Sequence, residues 1–238
     1  MNPYDKLLAR KRTWTPVKTT AGQVKDGAEE TIYRALALRH MELPVGDFIT
    51  DALATDVPTT ARELLISNVK DEIKHDLALS YITEAYGVDE VAEAEAKKLR
   101  EAWVSHPDHT ITKAMVAERA IFFVLLPFFR AVGDPGMRTC SADISRDEQV
   151  HVATNSLIHK EMGLETSPSL DKLRKATINW VMKPLSVSNS DKFLNRKFWT
   201  DSSDRLMYEG KAPELSFTKA ARMPAFFEHN NVNLPSYA

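Results

Sequence analysis

Asp71-Glu72-Ile73-Lys74-His75 and Asp147-Glu148-Gln149-Val150-His151 carry one pattern twice. In each, an aspartate precedes a glutamate and a histidine follows three residues on. Positions i and i+3 share a helix face, so the carboxylate and imidazole of each pair can reach one metal ion. A lone Glu-x-x-His is ordinary helix surface; two, each inside a long helical segment, are not. A single glutamate stands 30 residues upstream of each pair, Glu42 before Glu72 and Glu118 before Glu148. The same 76-residue offset relates Glu42 to Glu118, Glu72 to Glu148 and His75 to His151. The chain therefore contains an internal repeat of helix–loop–helix ligand units.

Two such units packed antiparallel place four carboxylates and two imidazoles in one bundle. That is the donor set of a ferritin-like dinuclear carboxylate site: a Glu from each of two helices and a Glu-x-x-His from each of the other two. Carboxylates bridge hard cations and imidazoles complete the coordination, a mixture suited to iron or manganese. Glu42 lies two residues from Pro44, and Glu29 or Glu30 on the same helix is the alternative first carboxylate; the equal 30-residue spacing decides for Glu42. Metal-bound imidazoles hand their second N–H to a carboxylate, and Asp147, Asp71 and Asp76 are the candidates. His40, His106, His109, His159 and His229 have no matching partner and read as surface or turn residues. Cys140 reads as a packing residue and Ile121–Phe129 as bundle core.

Working outward, apolar periodicity predicts four long helices over 21–43, 58–86, 111–132 and 137–162. Pro44 ends or kinks the first, and Pro127 kinks the third. Gly133-Asp134-Pro135-Gly136 reads as a turn. A charged, exposed helix is expected over 88–104, with further helices over 169–183 and 190–208. Residues 1–20 look irregular, 45–57 connecting through a short helical piece, and 211–238 an extended tail. No segment reads as a strand. The expected class is all-α: a four-helix bundle with additional C-terminal helices and a tail, divided into 1–183 and 184–238. Composition agrees. The 238 residues are 43% hydrophobic, enough for a core. With 31 Lys+Arg against 33 Asp+Glu the net charge is -2, which argues against a nucleic-acid partner. The 8 glycines are roughly 3% of the chain against about 7% on average, which disfavours turn-rich β folds and glycine-cradled nucleotide sites. One cysteine excludes an intrachain disulfide and a cysteine-built zinc or iron–sulfur site. The longest apolar run, Ala120–Phe129, is far short of the about 20 residues a membrane span needs. The start lacks the apolar core of a signal peptide, so no membrane partner and a cytoplasmic location are expected.

The motifs also resemble a known family. Ser145-Arg146-Asp147-Glu148-Gln149-Val150-His151 is similar to the Arg-Asp-Glu-x-x-His signature of the small, radical-generating (β) subunit of class I ribonucleotide reductase. Glu118 with Ile121-Phe122-Phe123 resembles that family's Glu followed by Ile-Phe-Phe, with one residue inserted. Phe226-Phe227-Glu228 resembles the Phe-Phe-Glu before its tail. The resemblance implies a dinuclear metal centre ligated by Glu42, Glu72, His75, Glu118, Glu148 and His151, the first being Glu where most members have Asp. It implies that Asp147 links a metal-bound histidine to a radical-transfer tryptophan, for which Trp14 is the N-terminal candidate, and that Tyr237 fills the role of the tail tyrosine. It implies a large (α) subunit as partner, docked through 184–238, and a homodimer. The chain is about a hundred residues shorter than a typical member, so it would be a pared-down form.

The expected activity is that of a reductase β subunit, whose centre reacts with oxygen species to generate the oxidant for ribonucleotide reduction by the α subunit. The alternatives are a stand-alone dimetal oxygenase or oxidase acting on a small or fatty substrate, and a ferritin-like storage protein. The family's radical tyrosine normally follows the first motif's histidine by four residues; here that position is Leu79. Leu79 lies seven residues from Glu72, about 700°, and shares its face within roughly 20°, whereas Tyr81 at about 900° faces away. A manganese–iron or dimanganese centre is therefore expected in preference to a tyrosyl-radical di-iron one.

Overall fold

The computed structural model of the chain describes residues 2–55 and 57–219. Among the described residues ten α-helices follow one another: α1 Pro3–Leu8, α2 Glu29–Ala37, α3 Glu42–Leu53, α4 Arg62–Tyr86, α5 Glu90–Val104, α6 Thr110–Ala117, α7 Phe123–Val132, α8 Pro135–Glu161, α9 Pro168–Met182 and α10 Arg196–Glu209. Among the described residues there is no strand, only an isolated bridge between Ser186 and Asn195. The class is all-α, and no helix among the described residues is long and apolar enough to cross a membrane. Four columns form the bundle. α3 packs on α4 and α6, and α8 packs on α4, α6 and α7. α5, α9 and α10 lie outside it, α9 and α10 closing over the α6–α7 side.

The first column differs from its predicted form. Residues 21–28 are not helical, because Gly27 adopts φ 84 and Lys25 N–H bonds the Val132 carbonyl instead of a helical partner. Pro44 neither ends nor breaks the helix. It sits in the first turn of α3, where its missing N–H would have had no intrahelical acceptor. The short helical piece expected within the 45–57 connection is the body of α3, which runs to Leu53, and a 3₁₀ turn at Leu38–Met41 joins α2 to α3.

In the third column the irregularity lies at Glu118–Phe122, a π-helical turn between α6 and α7, upstream of Pro127. Arg119 and Ala120, between Glu118 and Ile121-Phe122-Phe123, fall inside it; a π turn lets a helix absorb one extra residue. Asp134 and Pro135 are not a free turn but the N-cap and first residue of α8, which starts two residues earlier than predicted. Pro3–Leu8 is helical under a capping box from Asn2. Pro213–Lys219 is 3₁₀ rather than extended. The remainder of the expected tail, with Phe226-Phe227-Glu228 and Tyr237, lies outside the described residues.

Between α1 and α2 the chain runs as a strap across α4 and α8. Gly22 N–H donates to Asp134 Oδ2 at 2.7 Å, and Tyr86 OH donates to the Gly22 carbonyl at 3.0 Å. Asp134 also accepts the Met137 N–H at 2.7 Å, so one carboxylate starts α8 and anchors the strap. Replacing Asp134 with Ala should cost about 1–2 kcal/mol for the cap. Thermal unfolding checks this: the midpoint should fall by roughly 2–8 °C for a chain of this size, and an unmoved midpoint would refute the assigned helix start.

Candidate dinuclear metal centre

Glu72 and His75 share the inner face of α4, Glu148 and His151 that of α8. Glu42 opens α3 directly after the 3₁₀ turn, and Glu118 opens the π turn. The two long regular helices thus supply the paired donors, and the two irregular columns supply one carboxylate each. All six residues are at most 2% exposed.

The six spacing-selected residues are brought together. His75 Nδ1 lies 3.2 Å from Glu148 Oε1, 3.5 Å from Glu72 Oε2 and 3.8 Å from Glu42 Oε2. His151 Nδ1 lies 2.9 Å from Glu72 Oε1, 3.6 Å from Glu118 Oε1 and 3.8 Å from Glu148 Oε2. Glu72 and Glu148 therefore each turn one oxygen to each imidazole, the arrangement of bridging carboxylates. Glu42 faces only the His75 side and Glu118 only the His151 side. The imidazole centroids are 5.6 Å apart. Glu30, the alternative first carboxylate, instead pairs with Arg34 on the helix exterior.

The outer nitrogens are crossed between helices. His75 Nε2 on α4 faces Asp147 Oδ2 on α8 at 3.3 Å, and His151 Nε2 on α8 faces Asp71 Oδ2 on α4 at 3.2 Å. A carboxylate only accepts, so each Nε2 carries the proton and each Nδ1 is turned to the centre as a donor atom. Asp76 does not join them; it lines an outer pocket with His40 and Arg100. Trp14 Nε1 donates to Asp147 Oδ2 at 2.7 Å, and its ring stacks on His75 at 6.1 Å and 19°. Lys11 Nζ pairs with Asp71 and donates to Asn68 Oδ1 at 2.9 Å. Lys74 Nζ reaches Asp71 Oδ1 at 2.6 Å and Asp147 Oδ2 at 3.5 Å. Asn155 Nδ2 donates to Glu118 Oε2 at 2.7 Å. Lys11, in a stretch without apolar period, left no sequence signal. Asn155 did: it lies seven residues past Glu148, about two helical turns along the same face.

Eight buried atoms of the six side chains have no hydrogen-bond partner: Nδ1 of both histidines, both oxygens of Glu72 and of Glu148, Glu42 Oε2 and Glu118 Oε1. The close approaches between them are not aligned as hydrogen bonds. Unpaired buried polar atoms are costly, and these converge instead of dispersing. Charge points the same way. Burial and the neighbouring Glu72 and Glu148 carboxylates push Glu42 well above the usual carboxylate range, against the pull of His75. Burial also drives Glu118 up to about 8, His151 opposing and Glu148 adding. Glu72 is held down at about 2 because His151 and His75 outweigh its burial. Burial would lower both imidazoles; the surrounding carboxylates raise them. Two divalent cations would neutralise the four carboxylates and engage the unpaired donors. The residues fit a dinuclear centre, with Glu42, Glu72, His75 and Glu148 able to hold one ion and Glu72, Glu118 and His151 the other.

No protein-family model matches the chain, and no curated protein sequence does. A crystal structure from Bacillus halodurans, provisionally assigned as a class I ribonucleotide reductase, shares the fold. It is 17% identical with a TM-score of 0.63, and the match covers 92% of this chain and 98% of that one.

The purified protein should bind two divalent ions per chain. Elemental analysis of the double variant His75→Ala/His151→Ala checks it. Occupancy should fall at least as far as the 10–100-fold affinity losses typical of altered outer partners, and full occupancy in the variant would refute the assignment.

Proposed function

We propose that this chain is a compact β subunit of a class I ribonucleotide reductase, carrying a dinuclear manganese–iron or dimanganese centre and working with a separate large (α) subunit. The observation that carries the reading is the chain Trp14–Asp147–His75, which leads from the half-buried indole of the strap to an imidazole of the centre. The shared fold with the B. halodurans protein supports it, as does the Arg146-Asp147-Glu148 stretch. When bound, the metal pair supplies a one-electron oxidant formed with dioxygen or superoxide.

The protein's own residues then decide where charge goes. Oxidation of Trp14 removes an electron from the indole, and its Nε1 proton passes to Asp147 Oδ2, already at hydrogen-bond distance. Lys74 Nζ sits 5.1 Å from the indole centroid. A cation over that ring disfavours a second positive charge on it, so the proton leaves with the electron. Asp147 is ionised, with an oxygen open to the proton: burial works against its charge, but His75 and Trp14 hold the carboxyl below the usual range.

Metal-centred storage is supported by where the tyrosines lie. Tyr4 bonds Glu161, Tyr86 bonds the Gly22 carbonyl and meets Tyr33 edge-on, Tyr208 bonds Asp171, and Tyr81 lies under Lys18. Leu79, in contrast, lines a small apolar cavity beside Glu42 with Leu38, Phe122 and Phe129. That cavity holds about 10 Å³, the room of a single water, which weighs against an oxygenase taking a fatty substrate there. Tyr237 and the tail would carry docking and the last step of transfer to the large subunit. For the homodimer, Ile66, Ile73 and Leu77 are exposed at i, i+7 and i+11 on α4, an apolar stripe that a second copy would cover.

Trp14→Phe should keep its metal and lose nucleotide reduction with the large subunit by on the order of 10²-fold or more; retained turnover would overturn the reading. Electron paramagnetic resonance after activation should show a metal-centred signal. A stable tyrosyl signal that disappears in Tyr81→Phe would refute metal-centred storage.

A further inference from the structure

The crossed arrangement behind the two histidines is symmetric in its carboxylates and asymmetric in what faces them. Behind His75, Asp147 meets a neutral indole N–H at 2.7 Å, with the Lys74 ammonium further off at 3.5 Å. Behind His151, Asp71 meets two ammonium groups, Lys11 on Oδ2 and Lys74 on Oδ1 at 2.6 Å. Lys11 Nζ also lies 3.4 Å from His151 Nε2 itself. Its side chain is only 11% exposed, so its charge is poorly screened.

The donors facing the centre are unequal in the same sense. Glu72 and Glu148 serve both halves, but the four donors of the His75 half, from Glu42, Glu72, His75 and Glu148, all lie within 4.8 Å of one another, whereas on the His151 side only those from Glu72, Glu118 and His151 do, the second oxygen of Glu148 standing 3.8 Å from His151 Nδ1. Glu118 has one oxygen already engaged by Asn155. A carboxylate behind an imidazole raises its strength as a donor, and an ammonium on that carboxylate takes the effect away. A buried ammonium beside the imidazole also repels a second cation directly.

Resting on the dinuclear reading above, we infer that the two half-sites are unequal: the Glu42–His75 half takes the first divalent cation, and Lys11 is the positioning residue that keeps the Glu118–His151 half weaker. Ordered filling of this kind lets one chain hold two different metals, the first claimed by the more closely grouped donors and the second by availability. Lys11 lies on the strap that also delivers Trp14, so one segment fixes the electrostatics of both halves.

The test is calorimetric titration of the metal-free, full-length protein with manganese(II) under nitrogen. Two classes of site should appear, their dissociation constants at least about tenfold apart, the low end of what outer partners are worth. His75→Ala should remove the tight class and His151→Ala the weak one. Lys11→Met should tighten the weak class, a gain that simple loss of packing would not produce, and Lys11→Arg should restore the wild-type separation. Two equal classes, both lost in the histidine variants, would overturn the inequality while leaving the dinuclear centre standing. A weak class that loosens further in Lys11→Met would overturn the role of Lys11. Binding of two ions that neither histidine variant disturbs would sink the dinuclear reading and this inference with it.

Discussion

Four glutamates are buried together with two imidazoles, and the fold is organised around the cost of burying them. An isolated ionised carboxylate in an apolar interior is prohibitively expensive. Here Glu42, Glu118 and Glu148 are pushed toward neutrality by burial, and only Glu72, where the pull of His151 and His75 outweighs burial, stays low. Leu38, Leu79 and Phe122, which line the small cavity beside Glu42, are themselves buried, so compensation has to come from within the bundle.

That compensation is built as a pair of crossed contacts. Each long helix provides a histidine to the centre and an aspartate to the opposite helix's histidine. Asp71 with His151 and Asp147 with His75 therefore lock α4 to α8 in register while fixing which ring nitrogen faces inward. A slip of one turn between the helices would break both contacts and misplace both imidazoles. The strap completes the outer layer with Lys11 on one aspartate and Trp14 on the other. This segment, which contributes little to the apolar core, connects the buried site to the protein's exterior.

Helix irregularities do the remaining positioning. Regular α-helices carry the paired donors, because i and i+3 already share a face. The single glutamates have no such partner and come from columns whose regular winding is interrupted, by a 3₁₀ turn before Glu42 and a π turn at Glu118. Pro44 and the inserted residue before Ile121-Phe122-Phe123 mark these places in the sequence. Read locally, Pro44 looked like a stop; in the folded chain it lies in a first turn, where an N–H is not required.

Periodicity and spacing alone were enough to determine the helical class, the duplicated half-sites and the six residues that meet, because a fixed rise and turn per residue convert sequence intervals into faces. They also excluded a tyrosine on the ligand face near Glu72, since Leu79 occupies that register. Local pattern could not supply what depends on distant partners: that residues 21–28 leave the helix to bond Val132, that Asp76 turns outward while Asp71 reaches across to His151, and that Lys11 arrives beside a histidine 140 residues away. Those contacts are made between segments with no periodic relation to each other, so only the packing of the whole chain decides them.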